Sequence, residues 1–310
     1  MILEIIRELE KLNPRKGKRI ELAFRFLSNF LENNEISFEV QKFKNAIPDY
    51  KVKHNLEIEF IPNTFASGKI EEFVIVSNLE KNEDFELPNI NFNPLSNSIS
   101  LATFYYVPSI AISKKDLNKL PENLKIKIKV KKEKFIAKNI LVGNVKNPKT
   151  IFITHYDTLL NGAIDNSSGV AVLLYHIIHN KNSLEQNLFV FCGSDELSFE
   201  KPYWCKGYRE FEKEYFDLLK KARKIVVVDS IGHKKPKIER RKELLKEAFT
   251  INNFEKLYKK VYLITSVKGY FTIKEFDKEY LSVYHSYEDT IDKLNEKYLL
   301  ESLKIIRKFC

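Results

Sequence analysis

Cysteine is scarce in this chain: three in 310 residues, with Cys192, Cys205 and Cys310 at irregular spacings. That excludes a disulfide framework and a cysteine-based metal site, and Cys192, inside an apolar run, reads as a buried strand residue. The single methionine beside abundant Lys and Glu leans toward a heat-adapted source, whereas the numerous Asn lean the other way. No apolar run is long and charge-free enough for a membrane span. The N-terminal run from Met1 carries Glu4 and Glu8 among its apolar residues, which also argues against a signal peptide. A cytoplasmic protein with no membrane partner is expected. The net charge of +10 comes without an aromatic-basic stripe, so no nucleic-acid partner is expected. Its densest stretches are Lys125 to Lys134, which alternates Lys with Ile or Val like a charge-guarded edge strand, and Lys234 to Lys246, which looks like a solvated helix. Ser167 and Ser168 lack the strand-to-elbow context of a serine hydrolase.

What the chain does have is a series of potential metal ligands at the ends of apolar runs. Thr150 to Thr154 is a β-branched and aromatic run after the Pro148 breaker, which puts His155 at a strand end. Asp157 shares a face with His155 if the backbone stays extended, and can accept a hydrogen bond from the second ring nitrogen or from a neighbouring ligand. The turn-rich stretch 162–169 leads into Val170 to Ile178, whose apolar residues cover a helix nearly all round. Asp165 stands just ahead of that helix. A helix cap would explain Asp165 taken alone, but Asn166, Ser167 and Ser168 are available for that duty.

Asn187 to Cys192 forms a second strand, running into Gly193, Ser194, Asp195 and Glu196. Adjacent acids at a strand end are costly unless used: one can bind metal while its neighbour moves a proton. Lys224 to Val228 is a third strand, and Asp229 follows it directly. His285 lies between a strand candidate at Val261 to Val267 and an amphipathic helix from about Asn295 to Phe309. Singly, Asp229 reads as a turn residue and His285 as a loop residue. Together, two imidazoles and three carboxylates suit Zn²⁺ or a similar divalent ion, and one carboxylate can bridge two ions. His176 and His179 read as core or surface residues, and His233 is open between cleft and loop.

These segments resemble the M28 family of zinc aminopeptidases. The family's His-x-Asp matches His155 to Asp157, its Ala-x-Asp-Asn-x-Ser-Gly matches Ala163 to Gly169, and its acidic pair matches Asp195 and Glu196. Its Asp before a Gly matches Asp229 to Gly232, and its late His motif matches His285 to Thr290. The resemblance spans about Ile140 to Cys310, and the Asp165 block is its most specific part.

It implies a site for two zinc ions, with Co²⁺ or Mn²⁺ as other options. His155, Glu196, Asp229 and His285 would be the outer ligands, with Asp165 between the ions. Asp195 would deprotonate a metal-activated water, Asp157 would support the ligands, and the substrates would be peptides losing N-terminal residues. In two places the chain departs from the family: Asp195 stands where Glu is usual, and Leu197 to Trp204 replaces a small, Gly-rich segment with three aromatics that either shape a pocket or simply pack. A non-catalytic M28-like binding module and a glutaminyl-cyclase-like single-zinc enzyme are the alternatives.

The expected fold is α/β, a mixed, largely parallel sheet flanked by helices as in zinc exopeptidases, with ligands at strand carboxyl ends. Residues 1–45 and 133–310 form the catalytic domain. Residues 46–132, with short strands between Pro and Asn turns, weakly resemble a protease-associated β domain inserted into it. A chain of this length with 44% hydrophobic residues can bury one large core and a small satellite.

Overall fold

Apolar runs bounded by turn residues become the strands, and the longer amphipathic stretches become the helices. The computed structural model describes residues 1–79, 86–269 and 277–310. Its strands are β1 (Phe38–His54), β2 (Phe60–Pro62), β3 (Gly68–Ile70), β4 (Val74–Ser77), β5 (Asn89–Phe92), β6 (Ser109–Ile112), β7 (Ile126–Gly143), β8 (Thr150–His155), β9 (Asn187–Cys192), β10 (Lys224–Val228), β11 (Lys237–Glu239) and β12 (Val261–Thr265). Its α-helices are α1 (Ile2–Glu10), α2 (Ile20–Asn33), α3 (Ser168–His179), α4 (Lys206–Lys221), α5 (Lys242–Ala248), α6 (Phe254–Leu257), α7 (Lys278–Val283) and α8 (Glu296–Arg307). Among the described residues no helix is long and apolar enough to cross a membrane. The chain divides into two units, one of residues 1–45, 134–267 and 290–310, the other of residues 46–133 and 268–289.

The first unit is built on a sheet ordered β1-β7-β9-β8-β10-β12-β11. Strands β9, β8, β10 and β12 run parallel, while β7 and β11 pair antiparallel at either end of that group. Every residue of β8 and β9 is buried. Helices cover both faces, so these strands read as continuous apolar runs instead of alternating ones. Successive side chains nevertheless alternate between two cores. Phe152, Phe189 and Val226 join α1, α2, α3 and α8 on one face, and Ile151, Ile153, Val190 and Val227 join α4 and α5 on the other. Each such side chain, fully withdrawn from water, contributes roughly 1.5–3 kcal/mol.

Helix α3 is apolar nearly all round because it packs against both α1 and α8 as well as the sheet. Asn295 caps α8, its Oδ1 accepting the Lys297 N–H at 3.0 Å. The basic stretch Lys234 to Lys246 is not the single solvated helix expected from sequence. It contains edge strand β11 followed by α5, because Glu239 is buried and accepts bonds from Lys237 Nζ and Arg241 Nη2, at 3.0 and 2.8 Å.

The second unit has a four-stranded sheet, β2-β6-β5-β4, and the pairing of β3 with Ile126–Ile128 of β7. Its core gathers Leu56, Ile70, Ile90, Ile110, Ile112, Leu124, Ile126 and Ile128. The start of the Lys125 to Lys134 stretch is therefore not an edge: β7 pairs with β3 over Ile126 to Ile128, where the two Ile residues are buried while the lysines stay exposed. This unit also takes in residues 268–289, which the sequence reading keeps with the catalytic domain. The reason is a set of bonds to the Asn93–Leu101 region: Asn93 Nδ2 donates to Leu281 O at 2.7 Å, Leu101 N donates to His285 O at 2.9 Å, and Ser100 pairs with Ser286.

His176 is a core residue of α3. Its ring lies tilted against Phe189, and its Nε2 is 3.3 Å from Cys310 Sγ. Burial, helped by Arg307, lowers its pKa to about 4. Because the unfolded chain binds a proton near pH 6.5 and the folded chain does not, this group's contribution to stability is complete above pH 6.5 and lost as pH falls toward 4. Between pH 7 and pH 5 the loss is about 2 kcal/mol. Urea unfolding at both pH values is expected to show a loss larger by about that amount in the wild type than in His176→Phe; equal losses would contradict it.

Candidate metal centre

The carboxyl ends of β8, β9 and β10 carry the acids and the imidazole of the first unit. His155, the last residue of β8, is 2% exposed. Its Nε2 stands 3.2 Å from Asp165 Oδ1 and 3.8 Å from Asp229 Oδ1. Its Nδ1 is 3.5 Å from Asp157 Oδ1 and 4.0 Å from Glu196 Oε1. Burial opposes the charged imidazole, but Asp157, Asp165, Asp229 and Asp195 outweigh it and hold the His155 pKa well above its ordinary value. Donor atoms of His155, Asp165 and Asp229 all lie within 4.8 Å of one another, as do donor atoms of Asp165 and Glu196.

Local structure explains how each group gets there. Asp165 lies in the irregular turn 163–167, where φ and ψ are −117° and 89° and the peptide to Asn166 is cis. The capping duty falls to its neighbour: Asn166 Oδ1 accepts the Gly169 N–H at 3.2 Å, leaving the Asp165 carboxylate to face His155. Asn166 Nδ2 also donates to Thr154 Oγ1 at 3.0 Å and to Val228 O at 2.9 Å, so one side chain ties the ends of β8 and β10 to the start of α3. Gly169 is required by that closeness. A Cβ there would meet Asn166 Oδ1 at 2.5 Å, Thr154 Oγ1 at 2.8 Å and Val228 O at 2.9 Å. Asp229 follows β10, and its Oδ1 accepts the Ser230 hydroxyl at 3.0 Å.

Beyond β9 the chain turns through Gly193, where a Cβ would come within 2.7 Å of Lys138 O and the Tyr156 hydroxyl. Ser194 then adopts a positive φ of 63°, which brings the acidic pair round. Asp157 accepts the Asp195 N–H at Oδ1 and the Glu196 N–H at Oδ2, both at 2.9 Å. It therefore holds the backbone of the pair in place while standing near His155. Asp195 Oδ1 is buried with no hydrogen-bond partner, and Oδ2 lies 3.8 Å from Cys205 Sγ. Burial, reinforced by Asp157, Glu196 and Asp229 against the opposing effect of His155, pushes the Asp195 carboxyl well up from its ordinary range. Asp229 is raised too, by burial and then by Asp165.

The first unit thus brings together His155, Asp157, Asp165, Asp195, Glu196 and Asp229. His285 belongs to the second unit, where its ring stacks on Tyr284 at 3.7 Å, its Nδ1 is 3.4 Å from Leu101 O and its φ is +49°. His179 is exposed and stacks on Tyr175. Trp204, one of the three aromatics after the acidic pair, is 42% exposed and donates from Nε1 to Thr250 Oγ1 at 3.1 Å. The sequence reading missed two residues. Arg15 is wholly buried against the same loops, and Cys205 sits beside Asp195. No local pattern marks Arg15, because its partners Tyr156 and Ser167 lie 141 and 152 residues away in sequence.

The donor set fits a metal. A buried imidazole and carboxylates with converging donor atoms match the nitrogen and oxygen ligands of Zn²⁺. The buried, unpartnered Asp195 Oδ1 beside them is a polar group with no structural explanation of its own.

No family model matches the chain, and no curated protein matches its sequence. Solved structures do. BSAP, a zinc aminopeptidase from Bacillus subtilis, is 15% identical with a TM-score of 0.70, the match covering 99% of this chain and 93% of that one. A Peptidase M28 precursor from Shewanella amazonensis is 12% identical with a TM-score of 0.62, over 99% and 91% of the two chains. An Acidobacteriales bacterium glutaminyl cyclase is 15% identical with a TM-score of 0.53, over 99% and 94%. The fold of this chain, a mostly parallel mixed sheet flanked by helices, is thus the one shared by M28 zinc aminopeptidases and glutaminyl cyclases.

Proposed function

We propose that this chain is a metal-dependent aminopeptidase of the M28 type, hydrolysing N-terminal residues from peptides with two zinc ions bound. The observation that carries this reading is the convergence of His155, Asp165 and Asp229 donors within 4.8 Å at the ends of parallel strands, beside the acidic pair Asp195 and Glu196. His155, Asp165, Glu196 and Asp229 are the proposed ligands, and His285 is kept as a fifth on the sequence resemblance. Residues 1–45 and 133–310 are proposed as the catalytic part, with 46–132 as a β-rich insertion.

Bound zinc would supply Lewis acidity toward a peptide carbonyl and toward the attacking water. The rest falls to the chain's own groups. Asp195 Oδ1, buried and unpartnered, is the proposed acceptor of the water's proton, which it would pass to the departing amine. Asp157, bonded to two backbone N–H groups, keeps that carboxylate and Glu196 in register. His155 would hold a metal as the neutral imidazole, giving up the proton that its acidic neighbours otherwise retain.

Three expectations follow from these roles. A mixed peptide library incubated with zinc-loaded protein should lose residues stepwise from free N-termini, with N-acetylated peptides and chelated protein inert by mass spectrometry. Absence of cleavage by folded, metal-containing protein would reject the peptidase. Conversion of N-terminal glutamine to pyroglutamate with one bound zinc would favour the cyclase, which the likeness to glutaminyl cyclases keeps as a second reading.

Asp195→Asn should lower turnover at least about a hundredfold with metal content unchanged, whereas Asp165→Ala, Glu196→Ala and His285→Ala should each lower the metal measured by atomic absorption. Metal lost from Asp195→Asn but retained in the other three would reverse the assignment.

A further inference from the structure

We propose that Arg15 is a positioning residue of this site: its buried guanidinium clamps the segment after His155 to the turn that carries Asp165. The inference rests on the metal-site reading above. Arg15 is 0% exposed although it lies only five residues beyond the end of α1. Its Nε donates to Tyr156 O at 2.7 Å, and Tyr156 lies between His155 and Asp157. Its Nη2 donates to the Ser167 hydroxyl at 2.8 Å, and Ser167 in turn donates to Gly162 O at 2.6 Å, closing the turn around Asp165. Its Nη1 donates to Leu9 O at 3.0 Å and to Asn13 Oδ1 at 2.5 Å, anchoring the fork to the end of α1. The backbone joins in: Arg15 N donates to Thr158 Oγ1 at 3.1 Å, and Thr158 N donates to Arg15 O at 3.3 Å.

The chemistry suits arginine and no other residue. Four acceptors in different directions are served by one planar group with five N–H donors, whereas the single ammonium of lysine offers three donors from one point. Burying such a charge is expensive unless its hydrogen bonds are made. A merely structural tie could be made more cheaply by packed apolar side chains. What the fork adds is direction, because it meets one ligand-bearing segment with Nε and the other with Nη2. The distance between the His155 and Asp165 segments is thereby set from the N-terminal part of the chain, more than 140 residues away in sequence. Groups that orient metal ligands from behind typically govern affinity by ten- to a hundredfold.

The test compares the full-length wild type with Arg15→Met, Arg15→Lys and Ser167→Ala. Zinc affinity is measured by competition with a chromophoric chelator, and ligand geometry by the visible absorption of the cobalt-loaded protein. Arg15→Met is expected to bind zinc about ten- to a hundredfold more weakly and to shift the cobalt bands, with Arg15→Lys in between. If Arg15→Met does not fold, Ser167→Ala and the Arg15→Lys, Ser167→Ala double variant decide. Ser167→Ala should weaken zinc in the wild-type background and have much less effect once Arg15 is Lys. Equal effects of Ser167→Ala in both backgrounds, or zinc affinity and cobalt spectrum unchanged in folded Arg15→Met, would overturn the clamp. A wild type that takes up no zinc in the same titration would sink the metal reading and the clamp with it.

Discussion

Like charge gathered in a dry cleft is the constraint around which this molecule is organised. Asp165 and Asp229 are buried, Asp195 has a buried carboxyl oxygen, and Asp157 and Glu196 stand close to the same imidazole. Two unit charges 4 Å apart repel by about 4 kcal/mol at the effective dielectric of a protein surface. Burial, and after it the neighbouring acids that one His155 does not balance, pushes Asp195 and Asp229 both up toward the protonated state. Divalent cations would remove the conflict.

A site under such repulsion holds its geometry only if the backbone carrying the acids is tied down independently of them. Much of the polar structure nearby does this. Asn166 ties two strand ends to the helix start, Gly169 lets them close up, and Asp157 grips the backbone of the acidic pair. Behind these stands the sheet, whose parallel strands leave their carboxyl ends, and hence their loops, on one edge. Rigidity of this kind matters for chemistry because a reacting group displaced by an ångström loses much of its advantage.

A shared fold at 12–15% identity carries no activity by itself, and both peptidases and cyclases occupy this one. Donor atoms and proton-transfer groups, not the fold, therefore carry the chemistry. Asp195 is the point of greatest chemical interest: a shorter carboxylate than the family pattern has, it is brought round by the positive φ of Ser194 and the grip of Asp157 on its own N–H.

Strand and helix identities were legible because β8, β9 and β10 are continuous apolar runs and α3 is apolar on every side, patterns that follow from burial on both faces. The gathering of acids and one imidazole at the strand ends was legible for a related reason: charged residues directly after such runs have few explanations. Lys125 to Lys134 misled because alternating Lys and Ile describes any strand with one wet face, and only pairing with β3 decides whether it is an edge. Lys234 to Lys246 misled because burial of Glu239 against Lys237 and Arg241 depends on folding. Sequence alone determined which residue types meet at the strand ends, since hydrophobic periodicity is local. Only the tertiary structure decided what holds them there, because the bonds of Arg15, Asn166 and Asp157 join segments whose separation along the chain leaves no local trace.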